Sequence, residues 1–194
     1  MAFPSVYEMF APLTTVRKQH FWDYFIGDSL NSRWTFSGTG STSMQDAVDG
    51  GLKIDASSAD GFISFNNKRQ FAHNGSVIII VGRRETSNGH RIGFLSSSSV
   101  DNLDDVYMQD WSTNTYKILR TGDSSTSSDA NSSVTVDTSF HTYKLIMGSS
   151  NIKLNIDGVL EVTKTTNRPT AKLQPFLGGY SSMSRVKYCE AYNT

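Results

Sequence analysis

Four glutamates, Glu8, Glu85, Glu161 and Glu190, are scattered along a chain of 194 residues. Retaining cleavage of a glycosidic bond needs a nucleophilic and an acidic carboxyl about 5 Å apart in one cleft. Side chains share a strand face only at i and i+2, and no two glutamates stand so. Aspartates are the remaining carboxyls, and a glycosidase built from them is only a formal option. Asp101, Asp104 and Asp105, with Asn102 among them and Asp110 downstream, are hard oxygen donors of the kind Ca²⁺ takes. Calcium wants six to eight oxygens, so these side chains would have to converge with backbone carbonyls. Their spacing matches no helix–loop–helix calcium loop, and the competing reading is a solvated acidic loop.

Other reactive side chains are sparser still. His20, His73, His90 and His141 include no pair at metal-ligand spacing, and His141 reads as a residue that fixes a loop by hydrogen bonding. No serine lies in a Gly-x-Ser-x-Gly elbow, so acyl transfer has no support. The lone cysteine, Cys189, rules out an intrachain disulfide and reads as a small apolar filler. On a regular strand, Val186 and Tyr188 would share one face and Cys189 the other. Of the three tryptophans, Trp34 reads as core, while Trp111, with Tyr116 nearby, is the best-placed platform for a sugar ring, core packing being the competing reading. The pairs Lys68-Arg69 and Arg83-Arg84 read as solvated strand ends.

The elements that must position these groups are strands. Thr42–Asp46 and Leu52–Ala56 flank Asp49-Gly50-Gly51, a hairpin signal because glycine accepts positive φ. Gly61–Asn66 alternates, and Ser76–Val81 is a continuous β-branched run. His90–Leu95, Val106–Asp110, Tyr116–Thr121 and Val134–Val136 are further short candidates. Phe140–Met147, Asn151–Ile156 and Val159–Thr165 are the clearest, with Asp157-Gly158 supplying a type I′ turn. Lys172–Leu177 and Arg185–Tyr192 close the chain. Two serine-rich segments, Ser96–Ser99 and Asp123–Asp129, read as exposed, mobile loops. The first 20 residues lack alternation. Val6, Phe10 and Leu13 would share a helical face, but Pro12 ends any helix after a turn or two.

Composition narrows the classes. Ser and Thr make up roughly a quarter of the chain, which suits solvent-facing strand positions. With 18 basic and 18 acidic side chains the net charge is zero, against a nucleic-acid binder. No run approaches the ~18 apolar residues of a membrane span, and Met1-Ala2-Phe3-Pro4 lacks the features of a signal peptide.

Ser139-Phe140-His141-Thr142-Tyr143-Lys144-Leu145, followed by Ile152 through Asp157-Gly158-Val159-Leu160, resembles the strand pair of concanavalin A-like sandwiches. Laminin G-type domains, legume-type lectins and family 16 glucanases carry a similar phrase. The resemblance implies a two-sheet antiparallel jelly roll over residues 21–194. Family 16 hydrolysis would also require Glu-x-Asp-x-Glu on one strand, a pattern this sequence lacks. Phe25–Trp34 and Met44–Leu52 resemble the openings of small sandwich proteins of tailed bacteriophages, which implies a virion surface component.

The resulting expectation is an all-β, concanavalin A-like β-sandwich at 21–194 with a short N-terminal arm at 1–20. Its expected role is a non-enzymatic bacteriophage virion structural protein: a capsid decoration or cement subunit, or a head or tail fibre component. Phe3, Tyr7, Phe10 and Trp22 would bury apolar area against viral capsid or other virion proteins. A homo-oligomer follows, a trimer being one cyclic arrangement. Assembly would occur in the host cytoplasm, with the protein ending on the virion surface. No catalytic residue and no cofactor is expected, Ca²⁺ at Asp101, Asp104 and Asp105 being the open alternative. The rival role is a carbohydrate-binding, lectin-like module or viral adhesin, with Trp111 and Tyr116 meeting a cell-surface glycan.

Overall fold

A computed structural model describes residues 20–45, 50–65, 71–86, 89–96 and 104–194. They form β1 (His20–Asp23), β2 (Trp34–Gly38), β3 (Ser41–Gln45), β4 (Gly51–Phe65), β5 (Ser76–Arg84), β6 (Gly89–Leu95) and β7 (Val106–Asp110). There follow β8 (Tyr116–Gly122), β9 (Ser127–Thr135), β10 (His141–Met147), β11 (Ile152–Ile156), β12 (Val159–Lys164) and β13 (Gln174–Asn193). The expected arm at 1–20 lies, except for His20, outside the described residues, and so do Phe3, Tyr7 and Phe10.

Two long strands, β4 and β13, each serve both layers of the sandwich. The second half of β13 pairs with β5, with β1 and with the first half of β4. With β3, β10, β11 and β12 this makes the first sheet. The first half of β13 pairs instead with β6 and with the second half of β4, and β2, β7, β8 and β9 complete the second sheet. All pairings are antiparallel. β13 changes layer where its register with β4 shifts between Tyr180 and Ser182 and Ser181 adopts φ 46. The extra residues are on β4, where positions 57–59 stand opposite the single Ser181, and an irregularity of this kind bends the paired strands. The architecture is the all-β jelly-roll sandwich expected.

Alternation builds the core. Ile152, Leu154 and Ile156 of β11 face inward and meet Tyr143, Leu145 and Met147 of β10 across the ladder. From the second sheet, Ile92, Phe94, Val106, Met108, Leu119 and Leu177 close on them. Trp34 is buried as read, with its ring edge-on to Phe21 at 5.6 Å. The β11–β12 hairpin turns through Asp157 (φ 51) and Gly158 (φ 85), the two left-handed positions of a type I′ turn. His141 fixes this turn: its Nδ1 lies 2.6 Å from Asp157 Oδ2, and Asp157 Oδ1 accepts the Thr142 N–H at 2.8 Å.

Three readings of the sequence are corrected. Cys189 is buried as a filler, yet it shares the inward face with Val186, because a bulge at Lys187 shifts the register between Val186 and Tyr188. The last three residues of the serine-rich segment Asp123–Asp129 belong to strand β9. Its turn is pinned by Asp123, which accepts the Thr126 and Ser125 N–H groups and is held at a pKa of about 2 by them. Arg84 is a buried residue rather than a solvated strand end.

Candidate functional site

Alternation also gives the second sheet an outer face, and aromatic side chains collect there. Phe62, Leu95, Tyr107 and Phe176 form a buried cluster separate from the main core. At the end of the sheet beside them stands Arg91, its guanidinium 5.8 Å from the Tyr107 ring centroid, 5.0 Å from Trp111 and 5.2 Å from Tyr180. Trp111 and Tyr180 are stacked, with centroids 5.4 Å apart and planes 11° from parallel.

The local sequence explains the stack. Tyr180 of β13 pairs with Gly89 of β6, and Trp111 follows the β7 residue that pairs with His90. A Cβ on Gly89 would lie 2.7 Å from Trp111 Nε1 and 2.9 Å from its Cε2. Only a residue without a side chain lets the indole lie over this part of β6. Gln109 faces Ile118 across the β7–β8 hairpin, so Trp111 and Tyr116 approach each other at its closed end. There the Asn114 N–H donates to the Trp111 carbonyl at 2.9 Å. Tyr180, Trp111 and Tyr116 therefore form a row across β13, β6, β7 and β8. Tyr180 and Tyr116 are each 39% exposed, and Trp111 is half-buried. The sequence pointed to Trp111 and Tyr116. Tyr180 was missed, because it lies 69 positions from Trp111 in sequence and only the β13–β6 pairing joins them. Its flanking Gly178-Gly179, which admits close neighbours, is the signal that could have marked it.

The outward positions of β7 carry Tyr107 and Gln109, both buried. The strand's inward-facing Asp110 enters a second cluster. Lys117, fully buried, donates to Asp110 Oδ2 at 2.9 Å and to Asp137 Oδ1 at 3.0 Å. Arg84 Nε lies 3.5 Å from Asp110 Oδ1, and His141 Nε2 lies 3.0 Å from Asp137 Oδ1. Burial raises the Asp110 pKa against the opposing Lys117 hydrogen bond. Burial acts on Asp137 in the same sense, but there Lys117 and His141 outweigh it and hold the carboxyl below its usual value. Two carboxyls with pKa values pushed apart are what an acid and a nucleophile require. Here, however, the Lys117 ammonium fills the space between them and Asp110 is 1% exposed, so no sugar ring can enter. This cluster is structural. His90 beside it is fully buried and held neutral, its pKa lowered to about 3 by burial and then by the charges of Lys117 and Arg84.

The calcium candidates do not form a solvated acidic loop. Both oxygens of Asp104 accept backbone N–H groups, from Thr170 at 2.8 Å and Ala171 at 3.0 Å. Asp105 Oδ1 accepts the Ser96 N–H at 2.8 Å. Both side chains are buried, and Asp101 lies outside the described residues. Among the described residues, no three His, Cys, Asp or Glu side chains converge as a metal cage. Trp22, assigned with the arm, sits in β1 as part of the first sheet and is 53% exposed.

No protein-family model matches the sequence, and no curated protein does. Solved structures do match the fold. A glycoside hydrolase family 16 endo-glucanase from Bacteroides ovatus is 13% identical, with a TM-score of 0.63 over 87% of this chain and 98% of that one. The Crh5 transglycosylase is 14% identical, with a TM-score of 0.64 over 90% of this chain and 84% of its own. Rv0315, a pseudo β-1,3-glucanase of Mycobacterium tuberculosis, is 12% identical, with a TM-score of 0.65 over 90% and 98%. Such neighbours overturn two expectations, the bacteriophage virion structural role and the exclusion of enzymatic function. Two are named as an endo-glucanase and a transglycosylase and the third as a pseudo-glucanase, and none of them carries a virion role in its name. At these identities the likeness establishes the fold: a concanavalin A-like jelly-roll sandwich of the family 16 glycoside hydrolase type.

Proposed function

We propose that this chain is a carbohydrate-active protein that receives a polysaccharide across the outer face of its second sheet, over Tyr180, Trp111 and Tyr116. The observation that carries the reading is the aromatic row. Three neighbouring-strand spacings separate β13 from β8, about 14 Å, enough for consecutive sugar rings to lie across the strands. Planar rings accept the apolar face of a pyranose, and their polar tips remain for its hydroxyls. Arg91, ringed by Tyr107, Trp111 and Tyr180, holds the row in place. The glucanase and transglycosylase neighbours favour a β-glucan over other ligand classes.

The test is electrophoresis through gels containing β-1,3-1,4-glucan or β-1,3-glucan, together with product analysis of the same polysaccharides. Retardation in at least one gel is expected, and Tyr180→Ala or Trp111→Ala should weaken it about tenfold. Release of reducing ends would identify hydrolysis, and redistribution of chain lengths would identify transfer. Retardation undiminished by either substitution, or none in any gel, would refute the site.

A further inference from the structure

A second aromatic surface lies on the other side of the molecule, on the outer face of the first sheet. β1 and the end of β13 bring three cross-strand pairs together. His20 faces Tyr192, with ring centroids 6.0 Å apart and edge-on. Trp22 faces Glu190. One step beyond β1, the Tyr24 ring lies 4.9 Å from that of Tyr188. Along the strand, His20 and Trp22 are in ring contact at 5.2 Å. Residues two apart share a face, so the ladder from His20 to Tyr24 runs about 13 Å. Trp22 is 53% and Tyr24 57% exposed, so the rings face solvent.

Both ends of the ladder are held in shape. At its centre Glu190 Oε1 lies 2.9 Å from His20 Nε2, and Oε2 accepts the Tyr188 hydroxyl at 3.0 Å. The turn that carries Tyr24 is locked by Asp23, which accepts the Phe25 N–H at 2.8 Å and the Trp34 indole N–H at 2.9 Å. Phe25, with φ 51, is buried as the anchor. Little side-chain freedom is left to be lost when a ligand stacks here.

We infer that the His20–Trp22–Tyr24 / Tyr188–Glu190–Tyr192 ladder is a second glycan-binding surface, on the sheet face opposite the proposed aromatic row. A neutral sugar chain would stack on Trp22 and Tyr24 while its hydroxyls donate to Glu190. The carboxylate decides among the ligands that like aromatic faces. Nucleic acid also stacks on such rings, but its phosphates would meet the Glu190 carboxylate at the centre of the ladder. A protein partner would bury a carboxylate at the centre of its contact, where charged residues are depleted. A neutral polyhydroxylated chain needs both the planes and the acceptor. The inference borrows the ligand class from the proposed function and nothing of its site.

The test is calorimetric titration of the full chain with a β-glucan hexasaccharide, the linkage chosen from the gels. Two sites per chain are expected for the wild type and one for Trp22→Ala, and gel retardation should weaken. Trp22→Tyr, which keeps a ring, should retain two, and an unchanged unfolding midpoint would show that Trp22→Ala leaves the fold intact. Tyr180→Ala should also leave one site, now on the ladder. One site in the wild type that Trp22→Ala leaves in place and Tyr180→Ala removes would overturn the ladder and leave the Tyr180–Trp111–Tyr116 row standing. The opposite pattern would overturn that row alone. Binding unaffected by Trp22→Ala, or a wild-type dimer that becomes monomeric on that substitution, would make the ladder something other than a sugar site.

Discussion

Replacing Lys117 with methionine tests the buried ionic cluster most directly. The ammonium is fully buried and touches Asp110 at 2.9 Å and Asp137 at 3.0 Å. At an effective dielectric of about 20, one unit pair at that separation attracts by about 6 kcal/mol. Desolvation of the two ions takes back several kcal/mol, so the pair as a whole is close to neutral in stability. Deleting one partner is different. Asp110, at 1% exposure, would keep only the longer Arg84 contact at 3.5 Å. An uncompensated buried charge of this kind costs about 3–5 kcal/mol. For a chain of this size that lowers the melting temperature by roughly 10 °C.

The loss should depend on pH. The Asp110 pKa is already raised by burial in the wild type, and losing Lys117 would raise it further. A carboxyl with a raised folded pKa binds more protons folded than unfolded, so stability falls as pH climbs from the unfolded value, near 4, through the folded one. Lys117→Met should therefore be most destabilised at pH 7–8 and recover towards pH 4. Guanidinium unfolding followed by tryptophan fluorescence at both pH values measures this. The double variant Lys117→Met/Asp110→Leu should regain most of the stability at pH 7.5, since an apolar pair leaves no charge behind. A loss below about 1 kcal/mol, or an equal loss at both pH values, would refute the account.

Two further outcomes follow from the same geometry. Gly89→Ala places a Cβ 2.7 Å from Trp111 Nε1; the indole must leave Tyr180, with a loss of about 1–3 kcal/mol, a changed tryptophan emission and weakened glucan binding. His90, with a pKa of about 3, should show ring proton resonances that do not move between pH 4.5 and 8. Because the unfolded histidine takes up its proton near pH 6.5, His90 also makes the fold less stable as pH falls from about 6.5 towards 3.

Local chemistry settles much of this molecule. Ile152-Lys153-Leu154-Asn155-Ile156 alternates and Asp157-Gly158 supplies two left-handed positions, so that hairpin, its inward face and the all-β class can be read directly. So can the loop-fixing role of His141 and the burial of Trp34 and Cys189. What the sequence hid depends on distant partners. A bulge has no residue signature, so neither the crossing of β13 at Ser181 nor the phase change at Lys187 was visible. A lysine between a tyrosine and an isoleucine reads as solvent-facing; Lys117 is buried because Asp110 and Asp137 arrive from other elements to neutralise it.

The candidate sites divide the same way. Trp111 and Tyr116 are neighbours in sequence and could be read together, because one hairpin carries both. Tyr180 joins them, and Trp22 meets Glu190, only through β13, which pairs with residues more than 60 positions away on either sheet. Nor did the missing Glu-x-Asp-x-Glu series decide the function. Sequence alone establishes which side chains alternate and where the chain can turn, since both depend on a few adjacent residues. Which aromatic faces and charges meet is decided by sheet pairing over long separations, and that exists only in the folded chain.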